Sequence, residues 1–174
     1  RAEVRLVDAV QTGDKTAVRA LIQQRADVNA AEPDGTTALH WAVRMDDAET
    51  ADLLIKGGAN VKAVNRYNVT PLALACENGN AAMIDLLLKA GADPNARTRS
   101  HIWYASYNTG RMGVDFAGAT PFWRAAYALD VDAMRLLVRY GADPNIATMS
   151  FGTARRPTDP SGLPAVPAGG PHVP

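Results

Sequence analysis

The chain has 174 residues, of which 47% are hydrophobic and 21% charged, and its formal net charge at pH 7 is zero. These values are typical of one ordinary folded domain, and no run of about 18 apolar residues is present that would span a membrane. Residues 1–96 and 97–174 carry net charges of −3 and +3, so the sequence lacks the basic stripe that nucleic-acid binding usually needs, and a single cysteine excludes an internal disulfide.

A repeat of 33 residues runs through most of the chain. The short motifs that contain Ala26, Ala59, Ala92 and Ala142 are equivalent, and the steps between these alanines are 33, 33 and 50 residues. Since 50 is 33 plus 17, seventeen residues are inserted between the third and fourth units. We place the insertion at residues 98–114.

Two motifs recur at this spacing. The segments T-A-L-H-W-A, T-P-L-A-L-A and T-P-F-W-R-A begin at residues 37, 70 and 120, and G-A-D-P-N occurs at 91–95 and again at 141–145. A 33-residue period with such starts is typical of ankyrin repeats. The chain resembles the ankyrin repeat family over about residues 3–147, in the Ala-rich style of bacterial members. The resemblance implies an all-α solenoid of stacked helix-turn-helix units.

The first unit, residues 1–31, is atypical. It has V-R-L-V at 4–7 where T-P-L-H would stand, and Arg25 where glycine would stand. Its second helix is predicted over Lys15–Gln24. A divergent first unit is expected of an N-terminal cap, because only one of its faces has a neighbour.

The next three units span residues 32–64, 65–97 and 115–147. The first helix of each is predicted over Ala38–Arg44, Pro71–Glu77 and Pro121–Ala128, and the second over Ala48–Lys56, Ala81–Lys89 and Val131–Arg139. A threonine precedes each first helix and can cap it, with proline at the first helical position in two units. Gly58, Gly91 and Gly141 follow the second helices, where glycine permits a left-handed cap.

Residues 148–174 form a Pro/Gly-rich tail with six prolines after residue 156. This composition favours loop over helix. Nothing in it resembles a cap, so the fourth unit is expected to expose an apolar face. Either the tail covers this face or further repeats follow, and we favour a tail that begins a further interrupted repeat. In an ordered chain of 174 residues we expect at least one of Phe151, Leu163 and Val166 to lie across the face.

No residue pattern indicates catalysis, so we predict that the chain is not an enzyme and needs no cofactor or metal. Nucleophile, phosphate-loop and metalloprotease motifs are absent. His40 has no second histidine or cysteine at metal spacing, and the resemblance implies that it bonds the turn backbone of its own and the neighbouring unit. Cys76 is predicted to be a small packing residue. Asp46 and Asp47 are expected at a turn, where they favour a helix N-terminus.

The resemblance implies protein or peptide binding through the turn tips and the exposed side of the first helices, with no nucleic acid and no membrane insertion. The insertion concentrates aromatic residues of the kind that dominate interfaces, and it either extends this surface or packs on the fourth unit beside Phe122 and Trp123. The predicted partner-binding residues are Arg44, Met45, Arg66, Tyr67, Val69, Glu77, Asn78, Trp103, Tyr104, Tyr107, Phe116 and Tyr127.

Two other interpretations stay open. The repeats are alternatively a scaffold or regulatory segment of a larger bacterial protein, cytoplasmic or exported, whose active part lies elsewhere. A third interpretation is a small-molecule or peptide pocket lined by Trp103, Tyr104, Phe116 and Trp123. The sequence does not decide between a cytoplasmic and an exported location.

Overall fold

The computed structural model describes residues 5–99 and 117–148, which contain eight α-helices. The only β pairing within these residues is an isolated antiparallel bridge between Ala31 and Thr37, and the predicted all-α class is confirmed. The helices are α1 (Leu6–Gln11), α2 (Lys15–Gln23), α3 (Ala38–Arg44), α4 (Ala48–Lys56), α5 (Pro71–Asn78), α6 (Ala81–Lys89), α7 (Pro121–Tyr127) and α8 (Val131–Arg139).

Short polar side chains start the helices. The hydroxyls of Thr70 and Thr120 accept hydrogen bonds from backbone N–H groups at 3.1 and 3.2 Å, at the starts of α5 and α7. Asp14, Asp47, Asn80 and Asp130 do the same for the four second helices, α2, α4, α6 and α8. These bonds satisfy backbone donors that the helix leaves unpaired.

A left-handed residue follows the first helix in the third and fourth units. Gly79 follows α5 with φ 71°, so α5 reaches Asn78, one residue beyond its predicted end. In the fourth unit α7 ends at Tyr127, one residue before its predicted end, and Leu129 takes the place of Gly79 with φ 58°. A leucine in this region is strained, because its Cβ crowds the backbone.

The helices stack as two layers. The first helices of successive units, α1, α3, α5 and α7, pack side by side, and so do the second helices, α2, α4, α6 and α8. Aliphatic side chains fill the space between the layers, and five leucines are no more than 1% exposed: Leu39, Leu54, Leu72, Leu87 and Leu137. Each such burial stabilises the fold by about 1.5–3 kcal/mol.

Asparagine side chains join the loops of neighbouring units. Asn29 donates to the Gly58 carbonyl at 3.1 Å and accepts from the Asn60 N–H at 2.7 Å. Asn95 repeats this pair of bonds with Gly141 and Asp143, at 2.9 and 2.8 Å. Asn95 therefore couples the third unit to the fourth across the inserted residues.

The turns that precede the first helices are also linked from unit to unit. The Arg66 N–H donates to the Asp34 carbonyl at 2.8 Å, and the Arg99 N–H donates to the Tyr67 carbonyl at 3.0 Å. Arg99 thus stands where Arg66 stands one unit earlier. Arg99 is the last described residue before the insertion, and Ala117 is the first described residue after it.

The insertion consequently enters the turn two residues later than the repeat spacing suggested. The Thr98 N–H donates to the Ala119 carbonyl at 3.2 Å, as the Asn65 N–H does to the Val69 carbonyl. Thr98 therefore belongs to the turn of the fourth unit, and the seventeen extra residues are 100–116, not 98–114. Spacing alone does not distinguish the two placements.

The outer face of the fourth unit carries exposed apolar side chains. Helix α8 packs against α6, and Leu88 of α6 is 4% exposed. Val138, which stands at the equivalent repeat position in α8, is 49% exposed. Val131 is 53% exposed and Leu129 is 81% exposed. The residues expected to cover this face, Phe151, Leu163 and Val166, lie outside the described part of the chain.

Candidate protein-binding surface

Aromatic and cationic side chains lie along the first helices and their turns. The Arg44 Cζ lies 5.4 Å from the centre of the Trp41 ring, and the Arg66 Cζ lies 5.1 Å from that of Tyr67. Both distances suit cation–π contacts. In the fourth unit, the rings of Trp123 and Tyr127 stack with centroids 5.5 Å apart and planes within 8°. We call these residues, together with Met45 and Glu77, the inner surface.

The inner surface combines exposed and half-buried side chains. Met45 is 48% exposed, and the side chains of Arg44, Arg66 and Glu77 are also exposed. Trp41, Tyr67, Trp123 and Tyr127 are half-buried, so each ring is held by packing while part of it faces solvent. Held aromatic rings bind with little loss of side-chain entropy.

Two of the predicted binding residues have structural tasks. Val69 is 1% exposed, so its side chain packs in the core and does not belong to the inner surface. The residue before the capping threonine points inward, which the sequence pattern did not indicate. Asn78 is exposed at the end of α5, but its amide donates to the Val43 carbonyl at 2.8 Å and thereby ties α5 to α3.

The predicted aromatic residues of the insertion, Trp103, Tyr104 and Tyr107, and the neighbouring Phe116 lie outside the described residues. Trp41, by contrast, was not predicted, although its position is equivalent to Leu74 and Arg124 in the next two units. Its indole N–H donates to Glu32 Oε2 at 2.7 Å. Alignment of the three first helices is the signal that would have found it.

Comparison with protein families identifies the architecture. A family model described as "Ankyrin repeats (3 copies)" matches residues 6–98, and one described as "Ankyrin repeat" matches residues 117–149. The chain belongs to the ankyrin repeat family. Ankyrin repeats are generally protein–protein interaction modules and are typically non-catalytic. A search of curated proteins finds no match.

His40 holds two ankyrin units together. Its Nδ1 lies 3.2 Å from the Thr37 backbone N–H, and its Nε2 lies 3.0 Å from the Val69 carbonyl in the next turn. Because an N–H only donates and a carbonyl only accepts, Nδ1 is unprotonated and Nε2 carries the proton. Burial lowers the pKa of His40, so the ring is neutral at pH 7 and has the structural task that the resemblance implied.

The thiol of Cys76 lies inside the ankyrin stack. Cys76 is fully buried on α5, and burial raises the pKa of its thiol to about 12. A thiol with this pKa is not a nucleophile at neutral pH. Residues 5–99 and 117–148 contain no group of three or more histidine, cysteine, aspartate or glutamate side chains that could hold a metal ion. None of the described helices is long and apolar enough to cross a membrane.

One buried cation stands out beside the inner surface. The side chain of Arg124 on α7 is 4% exposed. Its Nη1 lies 3.4 Å from Glu77 Oε2 on α5, while its Nε and Nη2 are buried without a hydrogen-bond acceptor among the described residues. The sequence analysis did not single it out.

Proposed function

We propose that this chain is a non-catalytic module that binds a protein or peptide on its inner surface. The observation that carries the proposal is the succession of cation–π and stacked aromatic pairs across three consecutive units. Aromatic residues and arginine are the side chains that dominate binding energy at protein interfaces. Isolated exposed hydrophobic residues are common on any surface, but here they follow the layer of first helices from α3 to α7.

The exposed position of Met45 supports this assignment. Its side chain is 48% exposed directly after α3, next to the Arg44–Trp41 pair. An unbranched, polarizable side chain adapts to different partners and is used at binding surfaces for that reason.

The place of the insertion also supports this surface. Arg99, the last described residue before the insertion, bonds to the carbonyl of Tyr67. The insertion, residues 100–116, therefore begins next to a residue that is bonded to the backbone of Tyr67, one of the aromatic residues of the inner surface. Long loops on rigid scaffolds often carry binding residues, so we include Trp103, Tyr104 and Tyr107 in the proposal.

The test is selection of peptides that bind the full chain, followed by affinity measurements on variants. Met45→Glu places a charge on the surface in the second unit without opening a cavity, and Tyr67→Ala with Tyr127→Ala removes two rings from the third and fourth units. We expect each change to weaken binding at least about tenfold, the loss of about 1.4 kcal/mol.

The matched control is Arg135→Glu on α8, whose side chain is 68% exposed on the opposite layer. It should leave the affinity unchanged. Thermal unfolding of every variant separates loss of binding from loss of folding. Equal affinities for the wild-type chain and Met45→Glu, with Arg135→Glu the weaker binder, would place the binding surface elsewhere.

A further inference from the structure

The three aligned first helices differ at one position. Unit two has Trp41, whose single donor is satisfied by Glu32 at 2.7 Å, and unit three has Leu74, which has no polar side-chain atom. Unit four has Arg124, with two buried nitrogens that lack acceptors in the described part of the chain. Packing at this position therefore requires no charge.

A buried guanidinium without acceptors is unfavourable, because it gives up its hydration and receives little in return. The contact with Glu77 offsets only part of this loss, since its distance of 3.4 Å is long and Glu77 remains 35% exposed. Rules of good packing are commonly broken at functional sites. Arg124 combines such a violation with a position next to the proposed binding surface.

The surroundings of Arg124 define the direction of approach. Arg124 belongs to α7, as do the stacked rings of Trp123 and Tyr127, and its side chain contacts Glu77 of the neighbouring helix α5. Glu77 and both rings belong to the inner surface. A partner group that approaches between Glu77 and the aromatic stack reaches the guanidinium once the side chains that bury Nε and Nη2 move aside.

From this arrangement we infer that Arg124 recognises the carboxylate of an aspartate or glutamate side chain in the partner. The inference rests on the proposed function and specifies the chemistry of the partner at the fourth unit. A carboxylate offers two oxygens in a plane that match the fork of the guanidinium, and such charge-assisted pairs are the strong ones. The half-satisfied cation becomes fully paired when the partner binds.

The probe is a tetraglutamate peptide blocked at both ends, so that only side-chain carboxylates are available. Tetraglutamine, blocked in the same way, is the uncharged comparison at equal ionic strength. Titration into the full chain is followed by the NMR signal of the Arg124 Nε–H group and by the affinity. We expect the signal to move with tetraglutamate and not with tetraglutamine, and an affinity at least about tenfold higher for tetraglutamate.

Two variants test the residue itself. Arg124→Leu introduces the residue type that unit three has at this position. The variant should fold, should have a higher unfolding temperature than the wild-type chain, and should lose the preference for tetraglutamate. Arg124→Lys keeps the charge without the fork and should bind at least about fivefold more weakly than the wild-type chain. Arg135→Leu removes the same charge from the exposed face of α8 and should bind as the wild-type chain does.

The outcomes distinguish this inference from the proposed function. An unmoved Arg124 signal, or equal tetraglutamate binding by the wild-type chain and Arg124→Leu, overturns the inference. If the peptides selected for the inner surface still lose affinity with Met45→Glu in that case, the proposed function stands alone. Loss of the tetraglutamate preference in Arg135→Leu as well would assign the effect to net charge and equally overturn the role of Arg124.

Discussion

Replacement of Leu129 by glycine is expected to stabilise the protein. Leu129 has φ 58°, a left-handed conformation, where Gly79 of the preceding unit has φ 71°. Its side chain is 81% exposed, so little packing is lost on its removal. The two backbone hydrogen bonds that close the turn, from Leu129 to Ala126 and from Asp130 to Ala125, at 3.0 and 2.9 Å, do not involve the side chain.

The magnitude follows from two opposing terms. A residue other than glycine in the left-handed region destabilises the folded state by about 1–2 kcal/mol, and its replacement by glycine removes this strain. Glycine also has more conformational freedom in the unfolded chain, which destabilises the folded state by about 0.5–1 kcal/mol. The difference spans about 0–1.5 kcal/mol, with a midpoint of about 0.75 kcal/mol. For a chain of this size the midpoint corresponds to a rise of about 1.5–3 °C in the unfolding temperature.

Thermal unfolding followed by circular dichroism measures the effect, and hydrogen exchange locates it. Because stability in a repeat stack is nearly a sum of local terms, α7 and α8 should gain the most protection. The control is Leu129→Ala, which keeps the Cβ and hence the strain, and should change the unfolding temperature little. If alanine stabilises as much as glycine, the benefit comes from loss of an exposed leucine, and the argument from backbone strain is refuted.

Three further changes test the contacts between units. Gly35→Ala should lose about 1–3 kcal/mol more stability than Gly58→Ala. Both glycines have positive φ, but of the two only Gly35 has no room for a Cβ, which would lie 3.1 Å from the backbone Cα of Asn65. Equal losses in denaturant titrations would contradict this. Burial lowers the pKa of His40, so the folded protein holds the ring in its neutral form. The contribution of His40 to the free energy of unfolding is therefore complete above about pH 6.5, the pKa in the unfolded chain, and falls on acidification towards the lowered pKa, by up to about 1.4 kcal/mol per pH unit. Denaturant midpoints at pH 7.5 and 5.5 should differ less in His40→Gln, and an undiminished difference would assign the pH dependence to other groups. Asn95→Ala should lower the free energy of unfolding by about 1–2 kcal/mol, because it removes two hydrogen bonds to the fourth unit. Asn145→Ala is the control, since the Asn145 amide bonds within its own loop, and it should cost under about 0.5 kcal/mol in the same denaturant titration. The reverse order would be inconsistent with the proposed coupling.

The sequence predicted the helices well because each unit repeats the same local signals. Threonine before the first helix and aspartate or asparagine before the second fix the starts, and the structure shows these caps in place. The predicted ends were off by one residue in α2, α5 and α7. In α5 and α7 the left-handed residue, Gly79 or Leu129, stands at the equivalent position, so these differences of one residue lie in the last turn, where helix ends are least defined.

The candidate surface was harder to predict. Exposure depends on the direction of a side chain, and repeat spacing does not specify it at the turns. Val69 was therefore placed on the surface although its side chain is buried. Arg124 was overlooked because its burial and missing acceptors arise from the packing of α5 against α7, and only a comparison with Trp41 and Leu74 would have marked it as unusual.

The hydrogen bonds at the base of the insertion have a consequence for how such a chain changes during evolution. Thr98 bonds to Gly118 and Ala119, at 2.7 and 3.2 Å, so the two ends of the inserted segment are fastened to each other within a single turn. The turn is thus closed by backbone bonds between described residues on either side of residues 100–116. Doubling the length of a flexible loop costs only about 0.6 kcal/mol. A turn whose two ends are bonded to each other is therefore a position at which a repeat chain can gain residues at a small cost in loop-closure entropy.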